Sequence, residues 1–269
     1  MNRDRIIKIV EFNKNNTIKI DDKIDCFLSE WQSNRTSFLL NFNNCLFDVF
    51  YKMNVLVIII PLDDNEIGAV TYKGNKYNYL ILNSSLPYVN NKFSLAHELY
   101  HLYFQKDSFN SKIELGNDQY IYEPNELEAN CFAGMLLMPE SLFRNTFIVK
   151  KNEHNDLKNT IASLSSFFSV PFMAVLIRAL ELDLVNISEL DDTYFSMTNE
   201  ELISIFDDLL LDSKILKSSN DDNTEILFKA MKKVGNKNVD NEFIKESFLN
   251  KCISNCKRII EELRGKCND

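Results

Sequence analysis

The hydrophobic positions in the first half of the chain predict one helix followed by a small group of strands. Residues 36–53 carry apolar side chains at helical spacing. The β-branched run at 55–60 ends at Pro61 and is typical of a buried strand. Residues 69–83 contain two aromatic and β-branched arms around a turn with Gly74, which predicts a hairpin. This order of elements, with further helices behind it, predicts an α+β fold.

The second half of the chain is patterned as helices with polar interruptions. Residues 125–138 predict a strong helix that ends before Pro139. Residues 157–182 predict two helices joined by a short turn. Thr198 and Glu201 have the spacing of a capping box, which places the start of another helix.

The two ends of the chain give weaker patterns. Residues 1–35 are polar and predict no definite element. Residues 218–223 form a polar stretch that predicts a linker. Asp240 is predicted to cap a last helix, and Gly265 is predicted to end it.

The composition narrows the class of protein. With 269 residues and 45% hydrophobic content, the chain suits one large domain, or a domain with a smaller helical appendage. The net charge of −9 argues against direct nucleic-acid binding, because contacts to phosphates need a basic face. The six cysteines are scattered, and the first residues lack the apolar core of a secretory signal. We therefore expect a cytoplasmic protein with reduced thiols and no membrane partner.

The stretch FSLAHELYHLYF, at 93–104, carries the candidate chemistry. It places His97 and His101 four positions apart, with Glu98 directly after the first. On a helix, residues four apart point the same way, so both imidazoles can reach one zinc ion. Glu98 is offset by one position, and its carboxylate can accept a proton from a water at the metal. A motif this short also occurs by chance, so a third ligand has to distinguish a metal site from an ordinary helix.

One spacing would take the third ligand from just beyond the same helix. It needs a glycine three residues after the second histidine and a ligand six residues after it. Those positions hold Phe104 and Asp107. Without the glycine the chain has no easy way to turn back, so this spacing is disfavoured.

A second spacing takes the ligand from the later stretch NELEANCFAGMLLMP, at 125–139, which offers Glu126 and Glu128. On a helix, Glu126 and Asn130 share one face, one turn apart. The amide of Asn130 can then hydrogen-bond a metal-bound histidine. Glu128 has another explanation, because with Asn125 it has the spacing of a capping box. The shared face therefore favours Glu126 as the ligand.

Together the two stretches resemble the ImmA/IrrE family of zinc metallopeptidases. Its members typically read F-x-x-A-H-E-x-G-H and then E-x-E-A-[ND]-x-F-A-x-x-L-L-M-P, and the similarity covers about 37–182. The resemblance implies one zinc ion per chain, held by His97, His101 and Glu126, with Glu98 as the catalytic base. It also implies a zincin-like domain with a small antiparallel or mixed sheet beside the HExxH helix.

One departure from the family pattern is Tyr100, which stands where the family usually has glycine. A helix tolerates tyrosine better than glycine. The ring could narrow the site, or its phenol could stabilise the oxyanion of a tetrahedral intermediate. The candidates for such a donor are Tyr100, Tyr103, Tyr120 and Tyr122. Packing is the competing role for each of them.

Residues 157–182 resemble a helix-turn-helix in outline. A DNA-reading helix begins with polar or basic side chains, whereas the second helix here begins with Pro171 and Phe172. We therefore expect packing or protein docking from this segment rather than DNA binding. The predicted division is a zincin-like metallopeptidase domain at 1–150, a helix-turn-helix-like segment at 151–190 and a helical C-terminal region at 191–269.

The sequence thus predicts a cytoplasmic zinc endopeptidase. Resemblance to the family implies a protein substrate, a specific transcriptional regulator such as a helix-turn-helix repressor. The strand at 79–83, just before the HExxH helix, is predicted to present an edge that a substrate peptide joins. The alternative hypothesis is a zinc-binding module with little or no activity, which docks a regulator or senses the metal.

Overall fold

The computed structural model describes residues 2–64, 67–73, 78–105 and 123–265. Within these ranges most residues are helical and one small sheet is mixed, in agreement with the α+β prediction. The strands are β1 (Val55–Ile60), β2 (Ala69–Lys73) and β3 (Asn78–Asn83). The α-helices are α1 (Arg3–Glu30), α2 (Arg35–Leu40), α3 (Phe42–Lys52), α4 (Tyr88–Phe104), α5 (Pro124–Leu137), α6 (Glu140–Glu153), α7 (Leu157–Phe168), α8 (Phe172–Glu181), α9 (Asn199–Asp208), α10 (Thr224–Asp240) and α11 (Glu246–Leu263).

The sheet has β3 in its middle. β1 runs parallel to β3, and β2 runs antiparallel to it, with Thr71 beside Leu80. The strands of the predicted hairpin are therefore confirmed, while its predicted turn around Gly74 lies outside the described residues. The prediction that 79–83 presents an open edge is wrong, because β3 is hydrogen-bonded on both sides.

The polar stretch at 218–223 lies against the sheet. The side chain of Asn223 accepts a hydrogen bond from the Ile59 amide at 2.8 Å and donates one to the Val57 carbonyl at 3.1 Å. Both backbone groups belong to β1, on the side that does not face β3. The outer edge of β1 is thus covered at this point, and among the described strands β2 lies at the opposite edge of the sheet.

Residues 1–35, for which the polar pattern predicts no element, contain the 28-residue helix α1. Its apolar stripe is sparse but has helical spacing, and Ile20, Ile24 and Phe27 are fully buried. The stripe packs against α5 and α8. Because polar residues outnumber this stripe, tertiary contacts rather than an obvious amphipathic pattern hold the helix in place.

An aromatic cluster joins α1, α2, α4 and α5. The ring of Phe27 makes edge-on contacts with Phe38 and Tyr103, at centroid distances of 5.5 and 5.3 Å. Phe132 of α5 lies 5.5 Å from the ring of Tyr100. These contacts fix α4 and α5 from the side of the core.

Helices α7 and α8 meet at Ser169, which has a left-handed φ of 53°. α8 packs against α1, α5 and α7, and its buried Arg178 donates to the Met138 carbonyl at 3.2 Å and pairs with Glu181 at 2.8 Å. This segment therefore belongs to the packing around α5. Its classification as a helix-turn-helix and the boundaries at 150 and 190 stay predictions.

No single helix in the described ranges is long and apolar enough to cross a membrane. Only the pair α7 and α8, bent by 107°, meets the criteria of length and composition when taken together. Most of the apolar side chains of both helices are buried among the other described elements.

Three helix boundaries were predicted in the C-terminal region. The start at Thr198 and the end at Gly265 are confirmed, and the cap at Asp240 is wrong. Thr198 and Glu201 form the predicted capping box at the start of α9. Gly265 follows the last helix with a φ of 67°, which glycine adopts readily. Asp240 does not cap that helix: it is the last residue of α10, and α11 begins after Lys245.

Candidate metal centre

Two packed helices bring the candidate site together. α4 carries His97 and His101, and α5 carries Glu126 in its first turn. The two helices are in extensive contact, and the small side chain of Ala129 is fully buried between its neighbours. A small residue at this position lets one helix approach another closely.

Three candidate ligand atoms converge where these helices meet. Nε2 of His97 lies 3.1 Å from Oε2 of Glu126, and Nε2 of His101 lies 3.3 Å from Oε1 of the same carboxylate. The two Nε2 atoms are 3.0 Å apart. The three side chains could hold a metal ion, since one ligand atom from each lies within 4.8 Å of the others.

Each histidine is oriented through its other ring nitrogen. Nδ1 of His97 lies 2.9 Å from Oδ1 of Asn130, and Nδ1 of His101 lies 2.7 Å from Oε1 of Gln105. An amide oxygen at Nδ1 favours a proton there, so Nε2 is the ring nitrogen directed at the cluster. Asn130 lies where the sequence predicts it. The sequence analysis did not identify Gln105, although its position one turn after His101 indicates that the two side chains can meet.

The sequence around both site helices also matches a known protein family. Residues 51–180 match the family model described as an IrrE N-terminal-like domain of peptidase family M78. This match supports an ImmA/IrrE family metallopeptidase-type domain at residues 51–180. A search of curated proteins gives no match. The matched region runs from the end of α3 into α8, so it contains both site helices and crosses the predicted boundary at 150.

The contacts within this cluster shift the pKa values of His101 and Glu126. Burial opposes a charge on His101, but its hydrogen bond with Glu126 and the charge of Glu98 outweigh burial and raise its pKa to about 9. Burial alone would raise the pKa of Glu126, yet the hydrogen bonds with His101 and His97 hold it well below its usual range. Glu126 is thus an anion, as a metal ligand has to be.

Glu98 lies on α4 beside this cluster and is buried. Its Oε2 accepts a hydrogen bond from the hydroxyl of Thr71 on β2. The sequence reasoning missed Thr71, and only the pairing of β2 with β3 and its packing on α4 reveal the contact. The arrangement places the carboxylate of Glu98 beside the candidate metal ligand His101, whose pKa it raises.

Glu128 and Tyr100 belong to a second cluster on α5, α4 and α1. The Tyr100 hydroxyl donates to Oε2 of Glu128, Lys23 lies 3.0 Å from the same oxygen, and Lys19 pairs with Oε1. Burial opposes the charge of Glu128, but these donors outweigh it and lower its pKa to about 2. The carboxylate of Glu128 therefore binds two lysines of α1 and the hydroxyl of Tyr100.

Glu128 does not form the predicted capping box with Asn125. The N-cap of α5 is Glu123, and Pro124 occupies the first turn. The other candidate ligand, Asp107, lies outside the described residues.

The tyrosines proposed as oxyanion donors divide into two groups. Tyr100 and Tyr103 are buried, and Tyr103 donates its hydroxyl to Glu30 near the end of α1. Burial and the hydrogen bond to Glu128 raise the pKa of Tyr100, and burial and Glu30 raise that of Tyr103. Both phenols thus contact carboxylates of other helices. Tyr120 and Tyr122 lie outside the described residues.

Proposed function

We propose that the chain is a zinc-dependent endopeptidase whose metal site is formed by His97, His101 and Glu126. The observation that carries this proposal is the spacing of their ligand atoms, 3.0, 3.1 and 3.3 Å. Four ligands at roughly 2.0–2.1 Å from a tetrahedral zinc ion lie about 3.3 Å from one another. The three side chains therefore have the spacing of three protein ligands of one zinc ion, which when bound would also accept a water or a substrate.

The proposed chemistry depends on the residues beside the three candidate ligands. Zinc, when bound, supplies a Lewis acid that acidifies a water molecule and polarises a carbonyl. Glu98 accepts the proton of the attacking water and then delivers it to the leaving amine. Asn130 and Gln105 hold the two imidazoles in the orientation that keeps their Nε2 atoms available.

The site is best suited to an extended peptide. β2 pairs with β3 and, among the described residues, has no strand on its other side. It also contacts α4, so a peptide that adds to its outer edge would run past the metal site. Ala69→Pro would remove a backbone donor from the outer edge of this strand, whereas the amide of Val70 faces β3. Unchanged cleavage by that variant would contradict docking on β2.

The nature of the substrate is proposed from the family resemblance. We infer that it is a specific regulatory protein such as a helix-turn-helix repressor, and that the protein acts in the cytoplasm. Free thiols at the described cysteines support a reducing compartment.

Metal analysis of the purified chain tests the ligand set. We expect about one zinc per chain in the wild type and its loss in His97→Ala and Glu126→Ala, because each removes one of three protein ligands. Glu128→Gln is the matched control on the same helix, and it should keep zinc because its carboxylate serves Lys23 and Tyr100. Zinc retained in Glu126→Ala would contradict the ligand set.

Glu98→Gln separates catalysis from metal binding. This variant should keep zinc and lose cleavage of a peptide library by about 10²–10⁴-fold, because the amide cannot accept the proton. If the zinc-loaded wild type and Glu98→Gln are equally inert on the library and on the natural target, a docking or metal-sensing module is the better description.

A further inference from the structure

Strand β2 delivers a buried hydroxyl to the candidate base. Thr71 donates a hydrogen bond to Oε2 of Glu98, and both side chains are buried. Side chains alternate across a strand, so Val70 and Tyr72 point to the opposite face of the sheet. Valine has the branched shape of threonine and would fill this space without a hydroxyl. Packing alone therefore does not explain why threonine occupies this position.

The contact gives the two carboxylate oxygens of Glu98 different surroundings. Oε2 accepts from Thr71, whereas none of the described residues donates a hydrogen bond to Oε1. A hydrogen bond between two buried side chains is costly to break, so this one restricts the rotamer of Glu98. Oε1 is left available for the proton of an attacking water.

We propose that Thr71 is a positioning residue that holds Oε2 of Glu98, directs Oε1 to the metal site and couples this base to the strand on which the substrate docks. The inference rests on the proposed function of the site. Because Thr71 belongs to β2, a peptide that pairs with the outer edge of β2 immobilises the strand that orients Glu98. Thr71 thus acts through Glu98 and touches neither substrate nor metal.

The test uses the zinc-loaded full chain and acetohydroxamic acid, so that no natural substrate is needed. This small chelator binds zinc through two oxygens and can donate a proton to a neighbouring carboxylate. Thr71→Val removes the hydroxyl and keeps the shape, whereas Thr71→Ser keeps the hydroxyl. Each is made alone and with Glu98→Gln, and the Kd is measured by isothermal titration calorimetry.

Thr160→Val is the matched control. Thr160 is also a buried threonine, but its hydroxyl donates to the Asp156 carbonyl at 3.0 Å within α7 and its cap. It should alter the Kd by less than about twofold in either background. Thermal unfolding and zinc content are recorded for every variant, and Thr71→Ala replaces Thr71→Val if the latter does not fold.

Thr71→Val should raise the Kd by about tenfold when Glu98 is present and by less than about twofold beside Glu98→Gln, because the hydroxyl acts through Glu98. Thr71→Ser should stay within about threefold of wild type. On a peptide that the wild type cleaves, Thr71→Val should lower kcat about tenfold and leave KM within about twofold.

Two results would overturn the proposal about Thr71: equal losses with and without Glu98, or no loss in the wild-type background. Either would leave the zinc site itself intact. A wild-type chain that binds no zinc would instead overturn the proposed function, so the two failures are distinguishable.

Discussion

The helix pairs α4–α5 and α10–α11 differ in the burial of their polar side chains. In α4 and α5 most positions are buried, and the polar residues that remain have specific partners, such as Thr71 for Glu98 or Lys23 for Glu128. In α10 and α11 few positions are buried, and charged residues cover the exposed faces. A buried polar group without a partner is costly, whereas a solvated one costs little.

This contrast explains why the first pair can be assigned a chemistry and the second cannot. Burial requires a partner for most polar residues of α4 and α5, and several of these contacts surround the three candidate ligands. The exposed lysines and glutamates of α10 and α11 form hydrogen bonds with water and need no partner in the protein. Apolar residues such as Phe243 and Phe248 are also exposed there, and nothing in the described structure shows what covers them.

The largest expected effect separates two phenylalanines, one in α5 and one in the segment between α10 and α11. Phe132 of α5 is 0% exposed and Phe243, beside α11, is 76% exposed. Phe132→Ala should lower the free energy of unfolding by about 3–5 kcal/mol, because it leaves a cavity among the rings of the core. Phe243→Ala should change it by less than about 0.5 kcal/mol. Urea denaturation at a fixed zinc concentration measures both.

Similar losses from the two substitutions would break the comparison. A large loss from Phe243→Ala would mean that its side chain is covered in solution, by a second copy or by another part of the chain. A small loss from Phe132→Ala would mean that the cluster around Phe27 and Tyr100 collapses to fill the space.

Prediction from sequence worked where the local pattern was itself the constraint. His97 shares a helix face with His101, and Glu126 shares one with Asn130, because residues one turn apart on a helix point the same way whatever the rest of the fold does. Their role in binding a metal stays a prediction. The capping box at Thr198 is local in the same way. These spacings are local, whereas the approach of Glu126 to the two histidines depends on the packing of α5 against α4.

Prediction failed where a partner is distant in sequence. Thr71 meets Glu98 because β2 packs on α4, and Lys23 meets Tyr100 because α1 packs behind α4. α1 itself was missed because its buried residues are too widely spaced to stand out from the polar ones. The order of the strands placed 79–83 in the middle of the sheet, which no pattern within one strand reveals.

The next largest effect concerns Tyr100, at the position where the family usually has glycine. Tyr100→Phe keeps the ring in the core and removes the donor to Glu128. At neutral pH this should cost about 1–2 kcal/mol, because a partly buried carboxylate loses one of its hydrogen bonds. Tyr51→Phe is the matched control on an exposed side chain and should cost less than about 0.5 kcal/mol.

The pH dependence of Tyr100→Phe sharpens that prediction. Burial opposes ionised Glu128, but Lys19, Tyr100 and Lys23 lower its pKa from 4.5 to about 2. Its stabilising contribution is therefore present above pH 4.5 and is lost as the pH falls towards 2. The difference between wild type and Tyr100→Phe should narrow over this window in urea titrations of the zinc-free protein. A difference that stays constant would show that the hydroxyl contributes independently of the Glu128 charge.

The smallest effect compares two helical glycines, and it should differ in sign. A Cβ added at Gly134 of α5 would meet no atom within 4 Å. Gly134→Ala should therefore stabilise the protein by about 0.5–1 kcal/mol through helix propensity alone. A Cβ added at Gly235 of α10 would lie 2.2 Å from Cδ1 and 3.0 Å from Cγ of Leu249 on α11. Overpacking of about 1–3 kcal/mol then exceeds the same gain, so Gly235→Ala should destabilise by about 1 kcal/mol.

Thermal unfolding of the two alanine variants and their double mutant decides whether α10–α11 is packed as tightly as the distance implies. The two sites lie in different helix pairs, so their effects should add. If Gly235→Ala stabilises as much as Gly134→Ala, Leu249 has rotated away at little cost, which a close-packed interior would not allow. The C-terminal pair would then differ from α4–α5 in the tightness of its helix contact as well as in its exposure. In that case the close approach at Gly235 would contribute little to stability.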